Sequence, residues 1–341
     1  MKNLIEKFDE EKILKRPGFL KILNNELSVL EENLTSKLID NDSLLQGIVT
    51  YIFQAGGKRL RPALCFLIAK STGGITSKHI KLAELTELIH TASLIHDDII
   101  DSSKLRRGKE TINSLWNDKI SVITGDFLFA QASIRLGELE NTEIVKIYAK
   151  VLSDLCEGEI EQYSSKFNTD ISWEYYIKKS TTKTASLFAA ACKSAALLNN
   201  QPDKVVKQAN DYGLYTGIAF QIVDDTLDFT SSSKDLGKEV GTDLKQGIIT
   251  APALYAINSN DERAKQLKIL TENRFSINTD NYEKDFDKAI GLVHELGGCE
   301  KAKQLANDYI FKAKECLEFI TNTELKTYLI KAADSIFDKI R

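Results

Sequence analysis

Two segments of this chain concentrate carboxylates inside apolar, helix-like sequence. "SLIHDDIIDSSKLRRGKE" (93–110) carries Asp97, Asp98 and Asp101, then Arg106 and Arg107; "QIVDDTLDF" (221–229) repeats the pattern with Asp224, Asp225 and Asp228. Residues four apart share a helix face, so Asp97 stands with Asp101 and Asp224 with Asp228. Asp98 and Asp225 sit about 100° round from their neighbours. Two carboxylates about 5 Å apart repel by roughly 3 kcal/mol at an effective dielectric near 20. A structural helix gains nothing from that repulsion, whereas an oxygen-seeking divalent cation turns it into attraction. Mg²⁺ takes one or two carboxylates and completes its shell with water and phosphate oxygens. The spacing therefore predicts metal-bridged phosphate binding. The bland alternative, an exposed acidic face or an N-cap run, explains one such cluster better than two.

A second metal chemistry is weighed against this. "ELIH" places Glu87 three residues before His90, the Glu-x-x-His of di-iron carboxylate bundles. That site needs the motif twice, and His79, His96 and His294 have no glutamate three residues before them.

Basic residues flank both clusters. "GGKRLRP" supplies Lys58, Arg59 and Arg61, "RRGK" supplies Arg106 and Arg107, "TTKTA" supplies Lys183 and Thr184, and "DLGKEVGTDLKQG" supplies Lys238 and Lys245. Cationic forks and backbone N–H groups at helix junctions hold phosphates, so these segments are expected to take a phosphate role. Arg59 is read as a surface residue.

The elements that must position these groups are helices. Leu82, Leu85, Leu88 (or Ile89), Ala92 and Ile95 recur three or four apart. "EIVKIYAKVLSDLCEGEIEQY" and "EKAKQLANDYIFKAKECLEFI" share the habit, and strand alternation bounded by turn dipeptides is missing. In "AGGKRLRP" the paired glycines suit a helix C-terminus and Pro62 the first turn of the next helix. The expectation is an all-α chain forming one large helical bundle, a single domain over 1–341. The polar stretch around 260–290 is read as a solvated helix surface.

Composition narrows the function classes. A net charge of −4 argues against a general nucleic-acid surface. Five scattered cysteines without a Cys-x-x-Cys pair read as reduced thiols of a cytoplasmic protein. The first twenty residues lack a signal-peptide core. No uncharged apolar run is long enough to span a bilayer, which leaves peripheral membrane contact open.

On these residues the chain resembles the all-trans isoprenyl (polyprenyl) diphosphate synthases, most closely those making octaprenyl or solanesyl diphosphate. "GGKRLRP", "LIHDDIID" followed by "RRG", "KTASLF", "FQIVDDTLDF" and "DLGKEVGTDL" stand in the family's order between about residues 40 and 260. The resemblance implies an all-α fold around a deep central cavity, a homodimer, and three Mg²⁺ per site. Asp97 and Asp101 match the positions holding two Mg²⁺ and Asp224 the position holding the third, with Asp98, Asp225 and Asp228 completing the catalytic motifs. Arg106, Lys183, Thr184, Gln221 and Lys238 match residues that hold the allylic diphosphate; Lys58, Arg61, His90 and Arg107 match those that hold isopentenyl diphosphate. Gln162 matches a polar residue near the first metals. Ile248 departs from the family, where a lysine is frequent, and puts one diphosphate contact in doubt. A terpene cyclase shares the fold and first motif but usually lacks the second Asp-Asp-x-x-Asp and does not need the "GGKRLRP" clamp.

Product length is addressed through size. Side chains one turn before Asp97 stand below the diphosphate. There the sequence has Ala92 and Ser93, both small. Leu88 and Ile89 lie one turn further, and "GDFLFAQ" offers Phe127 or Phe129 from a neighbouring helix. An open shaft predicts an octaprenyl or solanesyl product for a quinone side chain; geranylgeranyl diphosphate is the alternative.

Overall fold

The computed structural model describes residues 18–36, 38, 43–106, 108–231, 240–276, 280–338 and 340. After a 3₁₀ turn (Gly18–Leu23) come α1 (Asn24–Thr35), α2 (Leu44–Gln54), α3 (Leu60–Thr72) and α4 (Ser77–Ile100). A hairpin of β1 (Leu105–Arg106) and β2 (Lys109–Glu110) leads to α5 (Ile112–Leu115), α6 (Asp118–Glu138) and α7 (Thr142–Ser164). Then follow α8 (Trp173–Ser180), a π-helical turn (Thr181–Ala185), α9 (Ser186–Leu198) and α10 (Asp203–Thr230). The remainder is α11 (Thr242–Lys245), α12 (Ala251–Ile257), α13 (Glu262–Glu272), α14 (Tyr282–Glu295), α15 (Gly298–Glu315) and α16 (Thr323–Phe337). The chain is all-α, as the periodicity predicts. The two-residue ladder, with Leu105 opposite Glu110 and Arg106 opposite Lys109, is the one sheet among the described residues.

The helix starts follow local chemistry. Ser43 Oγ accepts from Gln46 N at 3.3 Å at the head of α2, and Ser172 Oγ from Tyr175 N at 3.1 Å at the head of α8. Thr76 N donates to His79 Nδ1 at 3.1 Å, so a histidine closes the capping box of α4. Each device satisfies a donor that the first helical turn leaves unpaired.

Contacts divide the chain into two compact units. The first comprises described residues up to Ile147, Ala190–Asn210 and Leu317–Ala332. Its centre is α3, buried at every residue from Arg61 to Ala69; a helix enclosed all round belongs to an interior. Against it packs α4, which also meets α1 and α6. Leu27, Leu30 and Leu34 form the buried stripe of α1. Asn199 Nδ2 donates to the Ala69 and Gly74 carbonyls at 3.0 and 3.1 Å, closing the end of α3.

The second unit comprises Tyr148–Ala189, Asp211–Cys316 and Ala333–Arg341. The C-terminal part of α10 buries Ile218, Ile222 and Val223, and α12 packs against α15. The stretch around 260–290 is more than a solvated surface. Ala264, Leu267 and Thr271 of α13 and Phe286 and Ala289 of α14 are buried, and Phe275 meets Phe286 edge-on at 5.4 Å. Polar composition there reflects one wet face on each helix.

Candidate active site

In the first unit the C-terminal turn of α4 carries Asp97 and Asp98, and Asp101 is its C-cap, its N–H bonded to the Asp97 carbonyl at 2.8 Å. The three carboxylates have different surroundings. Asp97 and Asp101 are half-buried, whereas Asp98 is 5% exposed. The hairpin turns Arg106 back onto Asp98: Nη2 and Nε reach Oδ1 at 2.7 and 2.8 Å, and Nε reaches Oδ2 at 3.0 Å. Burial pushes the Asp98 carboxyl up while Arg106 works against it. Burial disfavours the Arg106 charge, but Asp98, and beyond it Asp97 and Asp101, hold that guanidinium firmly protonated. The turn after the motif is pinned too. Ser103 N donates to the Asp98 carbonyl at 2.9 Å, Thr111 Oγ1 to the Ser103 carbonyl at 2.8 Å, and Asn113 Nδ2 to that same carbonyl at 3.2 Å.

The "GGKRLRP" segment joins α2 to α3. Gly56 (φ 76°) ends α2 and Pro62 falls in the first turn of α3, as the sequence predicts. Lys58 is exposed; Arg61 is buried. Arg59 corrects the sequence reading. It is 7% exposed, its Nε and Nη2 bind Glu31 Oε1 and Oε2 at 2.8 and 3.0 Å, and its Nη1 binds Glu87 Oε1 at 2.6 Å. Its backbone is left-handed (φ 46°, ψ 37°), which costs a non-glycine residue about 1–2 kcal/mol. Both glutamates are needed there, because a guanidinium buried without partners is strongly destabilising; removing one partner of a buried ion pair costs roughly 3–5 kcal/mol. The same bond spends Glu87 on a guanidinium and takes it out of the di-iron reading. Arg59, Glu87, His90, Asp98, Arg106 and Lys109 line one open pocket, walled on its apolar side by Phe53, Leu94 and Ile95.

In the second unit, Lys183 and Thr184 lie in the π-helical turn between α8 and α9. Such turns recur at functional sites because they rotate side chains out of the α-helical register. Lys183 Nζ binds Glu159 Oε2 at 2.7 Å, and the buried Gln162 donates to Glu159 Oε1 at 3.3 Å. Thr184 Oγ1 donates to Gln221 Oε1, and Gln221 Nε2 passes the chain on to Asp225 Oδ1 at 2.7 Å. Gly217 permits this approach: a Cβ there would stand 2.5 Å from Ala185 Cα, forcing α10 away from the turn.

The second motif repeats the division seen in the first. Asp224 is exposed, while Asp225 is 3% exposed. Both Asp225 oxygens are engaged, Oδ1 by Gln221 and Oδ2 by the Tyr176 hydroxyl at 2.6 Å. Burial pushes the Asp225 carboxyl up to about 6, with Lys179 opposing that rise. Lys179 is itself buried, donating to the Ile249 carbonyl at 3.5 Å, and burial lowers it. Asp228 is buried; its carbonyl accepts from Gly241 N at 2.7 Å and its Oδ2 from Asp243 N at 3.1 Å. Ile248 is half-buried, its N–H on the Asp243 carbonyl at 2.8 Å.

Asp97, Asp98, Asp101, Arg106 and His90 thus gather in the first unit, and Lys183, Thr184, Gln221, Asp224, Asp225 and Asp228 in the second. Arg107 and Lys238 lie outside the described residues. Sequence reasoning missed Tyr176, Lys179 and Glu159.

The donor set fits a hard divalent cation. Asp97, Asp101 and Asp224 are the least buried carboxylates of the motifs and offer only oxygen. Among the described residues no three His, Cys, Asp or Glu side chains form an all-protein metal cage.

Ala92, Leu88 and Ile89 are buried on α4, and Ser93 is half-buried with its hydroxyl on the His90 carbonyl at 2.9 Å. From α6, Phe129 tilts against His96 with ring centroids 5.7 Å apart.

The chain is similar to known proteins. The family model described as polyprenyl synthetase matches residues 42–288. A prenyl transferase of Cyanophora paradoxa is 44% identical over 310 residues, covering 90% of this chain and 93% of its own. The chloroplastic solanesyl-diphosphate synthase 2 of Oryza sativa subsp. japonica is 40% identical over 319 residues, covering 92% of this chain and 77% of its own. Among solved structures, a polyprenyl synthase from Caulobacter crescentus, complexed with calcium and isoprenyl diphosphate, is similar with a TM-score of 0.86 and 31% identity over 94% of this chain and 96% of that one. With both aspartate motifs intact and these likenesses running through nearly the whole chain, the protein belongs to the polyprenyl synthetase family of trans-prenyltransferases.

Proposed function

We propose that this enzyme adds isopentenyl diphosphate repeatedly to an allylic diphosphate and releases a medium-to-long all-trans polyprenyl diphosphate, octaprenyl or solanesyl, for a quinone side chain. The observation that carries the reading is the division within both aspartate motifs. In each, the second aspartate is buried on the protein's own donors, and the first stays accessible. One family model running through residues of both units supports reading the chain as a single synthase domain.

Asp97 and Asp101 would hold two Mg²⁺ and Asp224 a third. When bound, Mg²⁺ supplies charge neutralisation at the diphosphate, which makes pyrophosphate a competent leaving group. Arg106, Lys183 and Lys238 add fixed positive charge to the allylic diphosphate, and Thr184 and Gln221 orient it by hydrogen bonds. The allylic C–O bond breaks, its electrons leaving on pyrophosphate. Lys58, Arg61, His90 and Arg107 hold isopentenyl diphosphate so that its double bond attacks the allylic cation and forms the new C–C bond; positioning makes the encounter near-unimolecular. The proton lost to restore the double bond goes to the departed pyrophosphate. Apolar walls exclude water that would trap the cation.

The exposed apolar residues of α6 support a homodimer. Ile123 and Ile134 are 62% and 51% exposed and eleven residues apart, three helical turns, with Val122 beside them. No helix among the described residues is long and apolar enough to cross a membrane. The cytoplasmic setting rests on the five free cysteines; the rice relative is chloroplastic by name.

The test is product analysis. The purified chain with Mg²⁺, an allylic primer and radiolabelled isopentenyl diphosphate should give octaprenyl or solanesyl products after dephosphorylation. Small Ala92 and Ser93 support that length, and Ala92→Phe should shorten the product to the farnesyl or geranylgeranyl class while turnover persists. A wild-type chain that stops at farnesyl refutes the open shaft, and one that incorporates no label refutes elongation.

A further inference from the structure

We infer that Arg59 is a positioning residue for the homoallylic diphosphate, acting through its neighbours Lys58 and Arg61. The inference rests on the proposed function, in which those neighbours hold isopentenyl diphosphate.

Three cations stand within four residues, and the structure gives them different fates. Lys58 is exposed and Arg61 buried. Arg59 points inward, and its planar fork gathers both oxygens of Glu31 from α1 and one oxygen of Glu87 from α4. Nη2 also approaches the Phe53 carbonyl at 3.4 Å, and the guanidinium carbon lies 5.7 Å from the Phe53 ring at the end of α2. One side chain therefore ties α1, α2 and α4 to the first residue of the α3 junction. Its charge is matched by two carboxylates, so it adds no net attraction for a diphosphate. What it fixes is geometry.

Two features make that geometry relevant to binding. Arg59 has a left-handed backbone, which turns the chain between Lys58 and Leu60. The guanidinium bridge ties that turn to the helices carrying Glu31 and Glu87. Glu87 also lies three residues before His90 on α4, so anchor and histidine share a face. Both line the pocket that Arg59 lines. The bridge therefore fixes the backbone on either side of Arg59, from which Lys58 and Arg61 project, against the helix that carries His90.

A merely conformational role for residue 59 and an anchoring role separate in the variant Arg59→Gly. Glycine adopts the left-handed backbone freely and lacks the bridge. The expected result is a rise of about tenfold in KM for isopentenyl diphosphate, with KM for the allylic primer within about twofold and kcat within about threefold, the signature of lost substrate positioning. Arg59→Lys should not restore the wild-type constant, because one ammonium cannot form the bidentate pair with Glu31. Unchanged constants in Arg59→Gly, equal rises for both substrates, or a fall in kcat alone overturn the inference. If Arg59→Gly loses its helicity, Glu31→Ala decides: it removes both oxygens of the fork from α1, where alanine suits the helix. The same split supports the role, and unchanged or equally shifted constants overturn it. A wild-type chain that incorporates no isopentenyl diphosphate sinks the proposed function itself. A wild-type chain that elongates beside an unaffected Arg59→Gly sinks this inference alone.

Discussion

Tyr176→Phe isolates the hydrogen bond that holds the second aspartate motif. The Tyr176 hydroxyl donates to Asp225 Oδ2 at 2.6 Å; the tyrosine is fully buried, and Gln221 takes the other oxygen. Phenylalanine keeps the ring and deletes the donor. With Asp225 ionised, a hydrogen bond to a buried charge is lost, worth about 1.5–3 kcal/mol; with Asp225 protonated the bond is neutral and worth about 1 kcal/mol. The carboxyl is pushed up to about 6 by burial, from 3.8. At about pH 8 it is ionised, and at about pH 5 it is roughly nine-tenths protonated. The native state thus binds this proton more tightly than the unfolded chain does. Asp225 contributes a stability that is full below its unfolded value and declines as pH rises through about 6. Deleting the donor that favours the charged form raises the carboxyl further and deepens the decline. The variant should lose about 2 kcal/mol relative to wild type at about pH 8, and about 1 kcal/mol or less at about pH 5. Urea titrations followed by far-ultraviolet circular dichroism, in chelator so that no metal competes, measure both. Equal losses at the two pH values refute the coupling. A loss below about 0.5 kcal/mol at about pH 8 refutes the bond's importance.

Asp97→Ala and Asp224→Ala should each lower turnover by about a hundredfold or more with helicity intact, as expected when electrostatic stabilisation of a leaving group is lost; near-normal turnover in either, at saturating Mg²⁺, contradicts its assignment as a metal ligand. Ile123→Glu combined with Ile134→Glu should convert a dimer to a monomer in sedimentation velocity, since it puts charge on an exposed apolar stripe. A wild-type chain that already sediments as a monomer refutes the dimer.

Much of the fold was legible because helical amphipathicity is local. Leu82, Leu85, Leu88, Ile89, Ala92 and Ile95 are all buried on α4, as their spacing predicts. Gly56 and Pro62 mark the junction they were expected to mark. Both aspartate motifs lie on helices or at a helix end for the same reason: four-residue spacing is a property of the chain segment alone. Arg59 was illegible because its partners, Glu31 and Glu87, each lie 28 residues away in opposite directions. Tyr176 and Asp225 are 49 residues apart. Polar residues declare a site by type, but whether each faces water or another side chain is decided by tertiary partners that periodicity does not carry. The buried phenylalanines near 275 and 286 escaped for a related reason, since a charged helix with one narrow apolar face reads as solvated throughout.

Three adjacent pairs of like charge share one arrangement. In Lys58 and Arg59, Asp97 and Asp98, and Asp224 and Asp225, the second member is the more buried. In the aspartate pairs a helix explains the sorting, because neighbours differ by about 100° and only one direction meets the interior. In the lysine–arginine pair the left-handed backbone of Arg59 achieves the same sorting outside a helix. A buried charge is tolerable only with partners, and each has them: Arg59 has two glutamates, Asp98 has Arg106, and Asp225 has Tyr176 and Gln221. The inward member fixes the backbone from which the outward member projects. Groups that hold a highly charged ligand need positioning against mutual repulsion, and a buried, paired neighbour of the same sign supplies it. Each doubled charge thus pairs a buried, partnered member with a more accessible one, and the proposed ligand roles fall on the accessible half.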